Sequence, residues 1–164
     1  MFRLLLLASA ALFAETVNVP APDVSFKTEN GQVVKLSSLK GKPVMIEVFS
    51  TTCPACQMMA SVVDKTFRGY GPKGLYLIAV INDESQRGDF ARFRKEHGAT
   101  YPLGVIARED AARLFNQSVM RPFSVPACAF IDRAGIIRER HTGVADLNVV
   151  NKALLTIMKP AGRK

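Results

Sequence analysis

Apolar residues fall into short blocks along this chain, and the period within each block points to an element. Val44-Met45-Ile46-Glu47-Val48-Phe49 is an almost unbroken apolar run with one carboxylate inside it, the pattern of a strand buried on both faces. Leu75 to Ile81 is a second such run. Val24-Ser25-Phe26 and Val33-Val34-Lys35-Leu36 flank Asn30-Gly31, a pairing that predicts a hairpin turn. Tyr101 to Ile106 reads as a short strand. Ser124 to Asp132 and Ile136 to His141 read as a hairpin joined through Arg133-Ala134-Gly135.

Helical patterning covers Gln57 to Phe67, Ser85 to His97, Glu109 to Phe115 and Leu147 to Met158. In the second of these, Phe90, Phe93 and the Ala91 region fall inward, with Arg92, Arg94, Lys95 and Glu96 outward and Gly98 as the stop. Asp146 caps the last helix and Pro160 ends it. Val17 to Pro22 reads as a Pro-containing lead-in with no element of its own. Together these predict the α/β class, with a central mixed β-sheet flanked by helices, an N-terminal β-hairpin and an inserted βα unit. There is no internal repeat.

Met1-Phe2-Arg3 and the apolar run Leu4 to Phe13 precede that pattern, with Ala10, Ala11 and Ala14 near the end and polar Glu15-Thr16 after it. A basic start, a short apolar stretch and small residues fit a secretory signal peptide. The alternative is an ordinary buried N-terminal helix. The run is shorter than the about 20 residues that a membrane-spanning helix needs, and no Cys lies near it for lipid attachment. The expected organisation is therefore a signal peptide over residues 1–14 and one domain over 15–164, in the periplasm or secreted, with no membrane span beyond the leader. An uncleaved leader acting as an anchor stays open.

Composition changes this picture little. At 164 residues, 48% hydrophobic and 22% charged, the chain is long enough for one proper core and too apolar for disorder. The formal charge is +8, a balance that often marks nucleic-acid contact. Here Lys and Arg are scattered from Lys27 to Lys164 without interleaved aromatic residues, so the charge reads as general solubility and no nucleic-acid partner is expected.

The chemistry centres on Cys53-Pro54-Ala55-Cys56. These residues stand where the Val44–Phe49 strand hands over to a helix. The first turn of a helix offers unpaired N–H groups and the positive end of the macrodipole, which stabilise a thiolate. Pro54 suits that turn, where its missing N–H costs nothing. An activated thiol with a second one turn behind it can exchange disulfides. A structural disulfide or half of a zinc site would use the same pair. Zinc wants four ligands, and there is no second Cys-x-x-Cys, while Cys128, His97 and His141 are scattered. No metal and no cofactor is expected beyond a redox-active Cys53–Cys56 disulfide.

Ala21-Pro22-Asp23, Leu36 to Pro43, the Cys53–Cys56 motif, and Val125-Pro126 with Phe130-Ile131-Asp132 and Gly135 together resemble the thioredoxin-like superfamily. Within it the chain is similar to the exported TlpA/ResA-type thiol–disulfide oxidoreductases. The likeness covers about Pro20 to Lys159. It implies that Pro126 is cis and sits against the cysteine pair, its backbone open to a substrate strand, and that Thr52, Pro54, Ala55 and Val125 form the rim that substrate meets. It further implies an enzyme that attacks through Cys53, resolves through Cys56, acts as a monomer on protein thiols or disulfides, draws on an upstream redox donor, and has cytochrome c maturation among its settings. One departure is plain: the family carries Trp before the first Cys, whereas this chain has Thr52 and no Trp.

Three further side chains draw notice. Glu47 lies six residues before Cys53 inside the apolar run. A carboxyl buried there without a partner stays protonated with a raised pKa and could pass a proton to or from Cys56; thioredoxin resembles this, with Asp at the matching position. The alternative places Glu47 at a sheet edge, in water or paired with Lys. Cys128 reads as an inert core thiol. His97 and His141 read as surface or capping residues, and Met58 and Met59 as packing.

Two other activities use the same fold. A copper-binding metallochaperone of the Sco type would have three residues between the cysteines and a His upstream of the Pro-bearing strand. A thiol peroxidase would have Thr-x-x-Cys, which Ser50-x-x-Cys53 loosely matches, with Pro where Ile46 stands.

Overall fold

The computed structural model describes residues 14–160. In chain order its elements are β1 (Ala14–Pro20), β2 (Ser25–Thr28), β3 (Val33–Lys35), β4 (Val44–Phe49), α1 (Pro54–Tyr70), β5 (Tyr76–Ile81), α2 (Phe90–His97), β6 (Leu103–Ile106), α3 (Arg108–Phe115), β7 (Ala127–Ile131), β8 (Ile136–Thr142) and α4 (Leu147–Ile157). The eight strands make one sheet in the order β1-β8-β7-β4-β5-β6-β2-β3.

The run that carries Glu47 is central. β4 pairs parallel with β5 on one side and antiparallel with β7 on the other. All six of its residues are buried, as expected of a strand covered on both faces. Its alternation separates two core layers. Met45 and Phe49 pack with Cys56, Met59 and Val63 of α1, Phe90 and Phe93 of α2, and Val150, Leu154 and Ile157 of α4. Val44, Ile46 and Val48 pack on the opposite face with Phe26, Val34, and Ala111, Leu114 and Phe115 of α3. The sheet is thus sandwiched between helices, and burial of these two layers is the main stabilising contribution.

The N-terminal hairpin forms as expected, with β2 also pairing antiparallel with β6. That approach is close. A Cβ on Gly104 of β6 would stand 2.6 Å from the Lys27 carbonyl oxygen, so only glycine fits without moving backbone.

Three boundaries differ from the sequence reading, each for a physical reason. The lead-in is a strand: β1 pairs antiparallel with β8 from Ala14↔His141 to Pro20↔Ile136, with an irregularity between Thr16 and Val19. Asn18 takes a φ of 57° there, and an edge strand tolerates both the bulge and Pro20. The helix expected from Ser85 begins only at Phe90, because Glu84–Asp89, which contains Gly88, winds as a 3-10 segment capped by Asp83. Ala91 is exposed while Phe90 and Phe93 face inward. β7 starts at Ala127, since Pro126 has no N–H to give the ladder. The expected leader lies outside the described residues apart from Ala14, which begins β1.

Candidate active site

β4 ends at Phe49, and Ser50-Thr51-Thr52 turn the chain into α1. Cys53 is the N-cap, with extended backbone (φ −81°, ψ 118°), and Pro54 follows in the first turn. The Cys53 N–H donates to the Ser50 carbonyl at 3.3 Å, and its own carbonyl accepts from the Gln57 N–H at 3.0 Å. Cys53 is half-buried and Cys56 is buried, 1% exposed. Thr52 and Pro54 are exposed, and Ala55 is half-buried.

The two thiols are close enough to influence one another. The Ser50 N–H donates to Cys56 Sγ at 3.5 Å. Burial pushes the Cys56 thiol well up; the Ser50 N–H opposes this, while the neighbouring Cys53 thiol and the Glu47 carboxyl add to it. An attacking thiol at the surface and a protonated one beneath it is the division of labour that dithiol exchange needs.

Glu47 is 1% exposed. Its Oε1 has no hydrogen-bond partner, and burial pushes its pKa up to about 8. The strand on which it sits has neighbours on both sides, so the alternative of a solvated edge carboxylate does not apply. Directly across the ladder from Glu47 is Cys128 of β7, also buried, its thiol raised first by desolvation and then by Glu47 and Cys56.

Pro126 arrives by register. Val48 pairs with Ala127, so Pro126 lies one residue beyond, at the end of the sheet from which the Ser50–Cys53 turn leaves. The Val125–Pro126 peptide bond is cis. Pro126 is buried and Val125 half-buried, and Val125 and Cys53 pack against the same core layer. The structure therefore brings Cys53, Cys56, Glu47 and Pro126 to one end of the central strands.

The expectation for His141 is corrected. It is 4% exposed, stands across from Cys128 in the β7–β8 ladder, and has Nε2 3.4 Å from the Val144 carbonyl oxygen and Nδ1 without a partner. Register with Cys128 turns its ring to the face that α1 and α4 cover. His97 ends α2, its ring 4.9 Å from that of Phe93 and its Nε2 4.0 Å from the Glu96 carboxylate. Among the described residues no three His, Cys, Asp or Glu side chains are grouped to hold a metal ion, and no described helix is long and apolar enough to cross a membrane.

Sequence reading missed Gln86. Its Oε1 accepts from the Thr51 N–H at 2.9 Å and from Ser50 Oγ at 2.9 Å, and Thr51 Oγ1 stands 3.1 Å away. A glutamine in a polar stretch carries no local signal of such contacts.

Known proteins resemble this chain. The chain is 28% identical over 147 residues to the thiol:disulfide interchange protein DsbE of Pseudomonas fluorescens biotype C, covering 89% of this chain and 78% of that one. It is 26% identical over 139 residues to the thiol-disulfide oxidoreductase ResA of Halalkalibacterium halodurans, covering 84% and 75%. A DsbF homologue from Corynebacterium diphtheriae superposes with a TM-score of 0.75 at 14% identity, over 91% of this chain and 95% of that one. A thiol:disulfide interchange protein of the thioredoxin family from Chlorobium tepidum TLS does so at 0.72 and 20%, over 89% and 100%. The two structures establish a common thioredoxin-like fold. The AhpC/TSA family profile matches residues 17–140, strands β1 to β8 almost entire, and the chain therefore belongs to the AhpC/TSA family.

Proposed function

We propose that this thiol–disulfide oxidoreductase works outside the cytosol, reducing or exchanging disulfides in protein substrates through Cys53 and Cys56. One observation carries the reading: a half-buried thiol at a helix start stands beside a buried one, with a buried carboxyl near them whose Oε1 has no hydrogen-bond partner. The Cys53 thiolate attacks one sulfur of a substrate disulfide. That S–S bond breaks, the other substrate sulfur leaves as thiolate, and a mixed disulfide remains on Cys53. Cys56 then gives its proton to the Glu47 carboxylate and attacks Cys53 Sγ. The second substrate sulfur leaves, so the substrate gains two electrons and the protein holds a Cys53–Cys56 disulfide. An upstream dithiol donor restores the reduced pair by the reverse sequence.

The leader-like start supports export, where disulfides persist. Reduction is favoured over oxidation by analogy with the ResA and DsbE relatives.

The test is trapping. Cys56→Ser should stall at the mixed disulfide and yield covalent adducts that reducing agent releases and that Cys53→Ser lacks. Recovery of an apocytochrome among them would place the protein in cytochrome c maturation. Turnover of peroxide, with no reduction of insulin or other protein disulfides, would overturn the reading in favour of a peroxidase.

A further inference from the structure

The Ser50–Thr52 turn holds the one backbone N–H among the described residues that donates to Cys56 Sγ, and it is not held by its own residues alone. Gln86 comes from the 3-10 segment after β5, 35 residues along the chain from Thr51. Because the Thr51 N–H can only donate, the side-chain atom facing it is the amide oxygen, which fixes the orientation of the Gln86 amide. That oxygen has two lone pairs. The Thr51 N–H and the Ser50 hydroxyl, each at 2.9 Å, take both. Thr51 Oγ1 has a single proton, which is left for Asp89 Oδ2 at 3.1 Å. Gln57 Nε2 of α1 donates to the Thr51 carbonyl at 3.0 Å. Ser50 Oγ in turn accepts from the Thr52 N–H at 3.4 Å. Thr51 is 4% exposed, so little water competes for these bonds.

We propose that Gln86 is a positioning residue for the second half of the exchange: by clamping Ser50 and Thr51 it aims the Ser50 N–H at Cys56 Sγ. The contact matters most when Cys56 carries charge. Burial opposes the Cys56 thiolate, and the Ser50 N–H is the backbone donor that offsets part of that cost. Without Gln86 neither the Ser50 hydroxyl nor the Thr51 N–H is held, and the Ser50 backbone no longer keeps that aim. Cys53 is the N-cap of α1, and its carbonyl accepts from the Gln57 N–H at 3.0 Å, so the attack step has a support that does not run through Ser50. The clamp stands beside Thr52, at the position where the resembled family has Trp.

This inference rests on the proposed dithiol exchange, and one assay separates the two. A symmetrical aromatic disulfide such as dithiobis(nitrobenzoate) reacts with reduced protein in two steps. Cys53 attacks and releases one coloured thiolate; Cys56 then displaces the second from Cys53 and closes the Cys53–Cys56 disulfide. Cys128→Ala is used throughout so that only this pair reports. Gln86→Leu, equal in size but without an acceptor, should slow the second release about tenfold, the effect of losing one hydrogen bond's worth of aim, with the first release within about twofold. Gln86→Glu keeps the accepting oxygen and should restore the second step. Gln86→Asn, one methylene too short to span the gap, should repeat the Leu result at less cost in packing.

A second release at the unsubstituted rate in Gln86→Leu would overturn the proposal. So would equal slowing of both steps, or failure of Gln86→Glu to restore the second. If the protein with Gln86 intact gives no second release, the dithiol exchange itself fails, an outcome distinct from either.

Discussion

Glu47 and Cys128 face each other across the β4–β7 ladder, both 1% exposed. Residues in register point to the same side of a sheet, and on this side α1 brings Cys56 down over the pair. A carboxyl thus shares a dry interior with two thiols. Each of the three is held toward its protonated form by desolvation, and Glu47 is the most acidic of them.

The first consequence is thermodynamic. Glu47 has a pKa near 8 in the folded chain against 4.5 when solvated. Below 4.5 both states hold the proton and the group adds no pH dependence. Between 4.5 and 8 the unfolded chain releases a proton that the folded one keeps, so stability falls as pH rises. The full drop is on the order of 5 kcal/mol at about 1.4 kcal/mol per unit, and it levels off above pH 8. Urea denaturation of the reduced protein across this window should show that decline, and Glu47→Gln should flatten it. The buried amide lowers stability at every pH, so the slope, and not the absolute value, decides. Equal slopes would mean that the carboxyl is solvated.

The same group sets a kinetic profile. If Glu47 takes the Cys56 proton, release of the mixed disulfide should rise with pH through an inflection near 8, where the carboxylate forms. In Glu47→Gln the inflection should vanish and the rate at neutral pH drop about tenfold, less than full general-base effects because water reaches half-buried Cys53. Stopped-flow measurement of single turnovers gives both. An unchanged rate across pH would remove Glu47 from the mechanism.

Accessibility of the thiols makes a third prediction. Cys53 is half-buried, whereas Cys56 and Cys128 are each 1% exposed and their thiols are raised by desolvation. Brief treatment of the folded, reduced protein with iodoacetamide should add one carbamidomethyl group, at Cys53, and treatment after denaturation should add three. Peptide mass spectrometry reads the positions. Modification of Cys128 in the folded state would show that β7 opens and that its thiol is within reach of the redox pair.

How far the sequence reveals this arrangement depends on whether a residue's partners are local. Cys53, Pro54 and Cys56 declare themselves, because the strand-to-helix junction is written in consecutive residues. Glu47 does so by contrast, a carboxylate in an apolar run. Pro126 does not: its place comes from the β4–β7 register, nearly eighty residues apart, and only family likeness anticipates it. β1 is hidden because an edge strand with Asn18 and Pro20 has neither the apolar run nor the alternation of a buried one. His141 misleads for a related reason. Ile136-Ile137-Arg138-Glu139-Arg140-His141 looks polar toward its end, yet the burial of its ring is imposed by α4 and the Cys128 register. Gln86 carries no signal at all, since its bonds to Ser50 and Thr51 exist only in the folded chain.

The hairpin edge offers a test that leaves the redox centre alone. Gly104 pairs with Thr28 of β2 on one side and Val80 of β5 on the other. A methyl group there would meet the Lys27 carbonyl oxygen at 2.6 Å and Ile78 Cδ1 at 3.2 Å. The isoleucine can rotate away, but the carbonyl is backbone, so β2 must shift against β6. Gly104→Ala should therefore destabilise the protein by about 1–3 kcal/mol, the usual cost of overpacking a tight site, visible as a lower denaturant midpoint at unchanged slope. Glycine-to-alanine changes in open strand positions gain rather than lose stability, so the sign itself is diagnostic. β5 stands between β6 and β4, which keeps the strain away from the Ser50–Cys56 turn, and both thiolate releases in the aromatic-disulfide assay should keep their rates. Undiminished stability would show that the β2–β6 approach is looser than its hydrogen-bonded register implies.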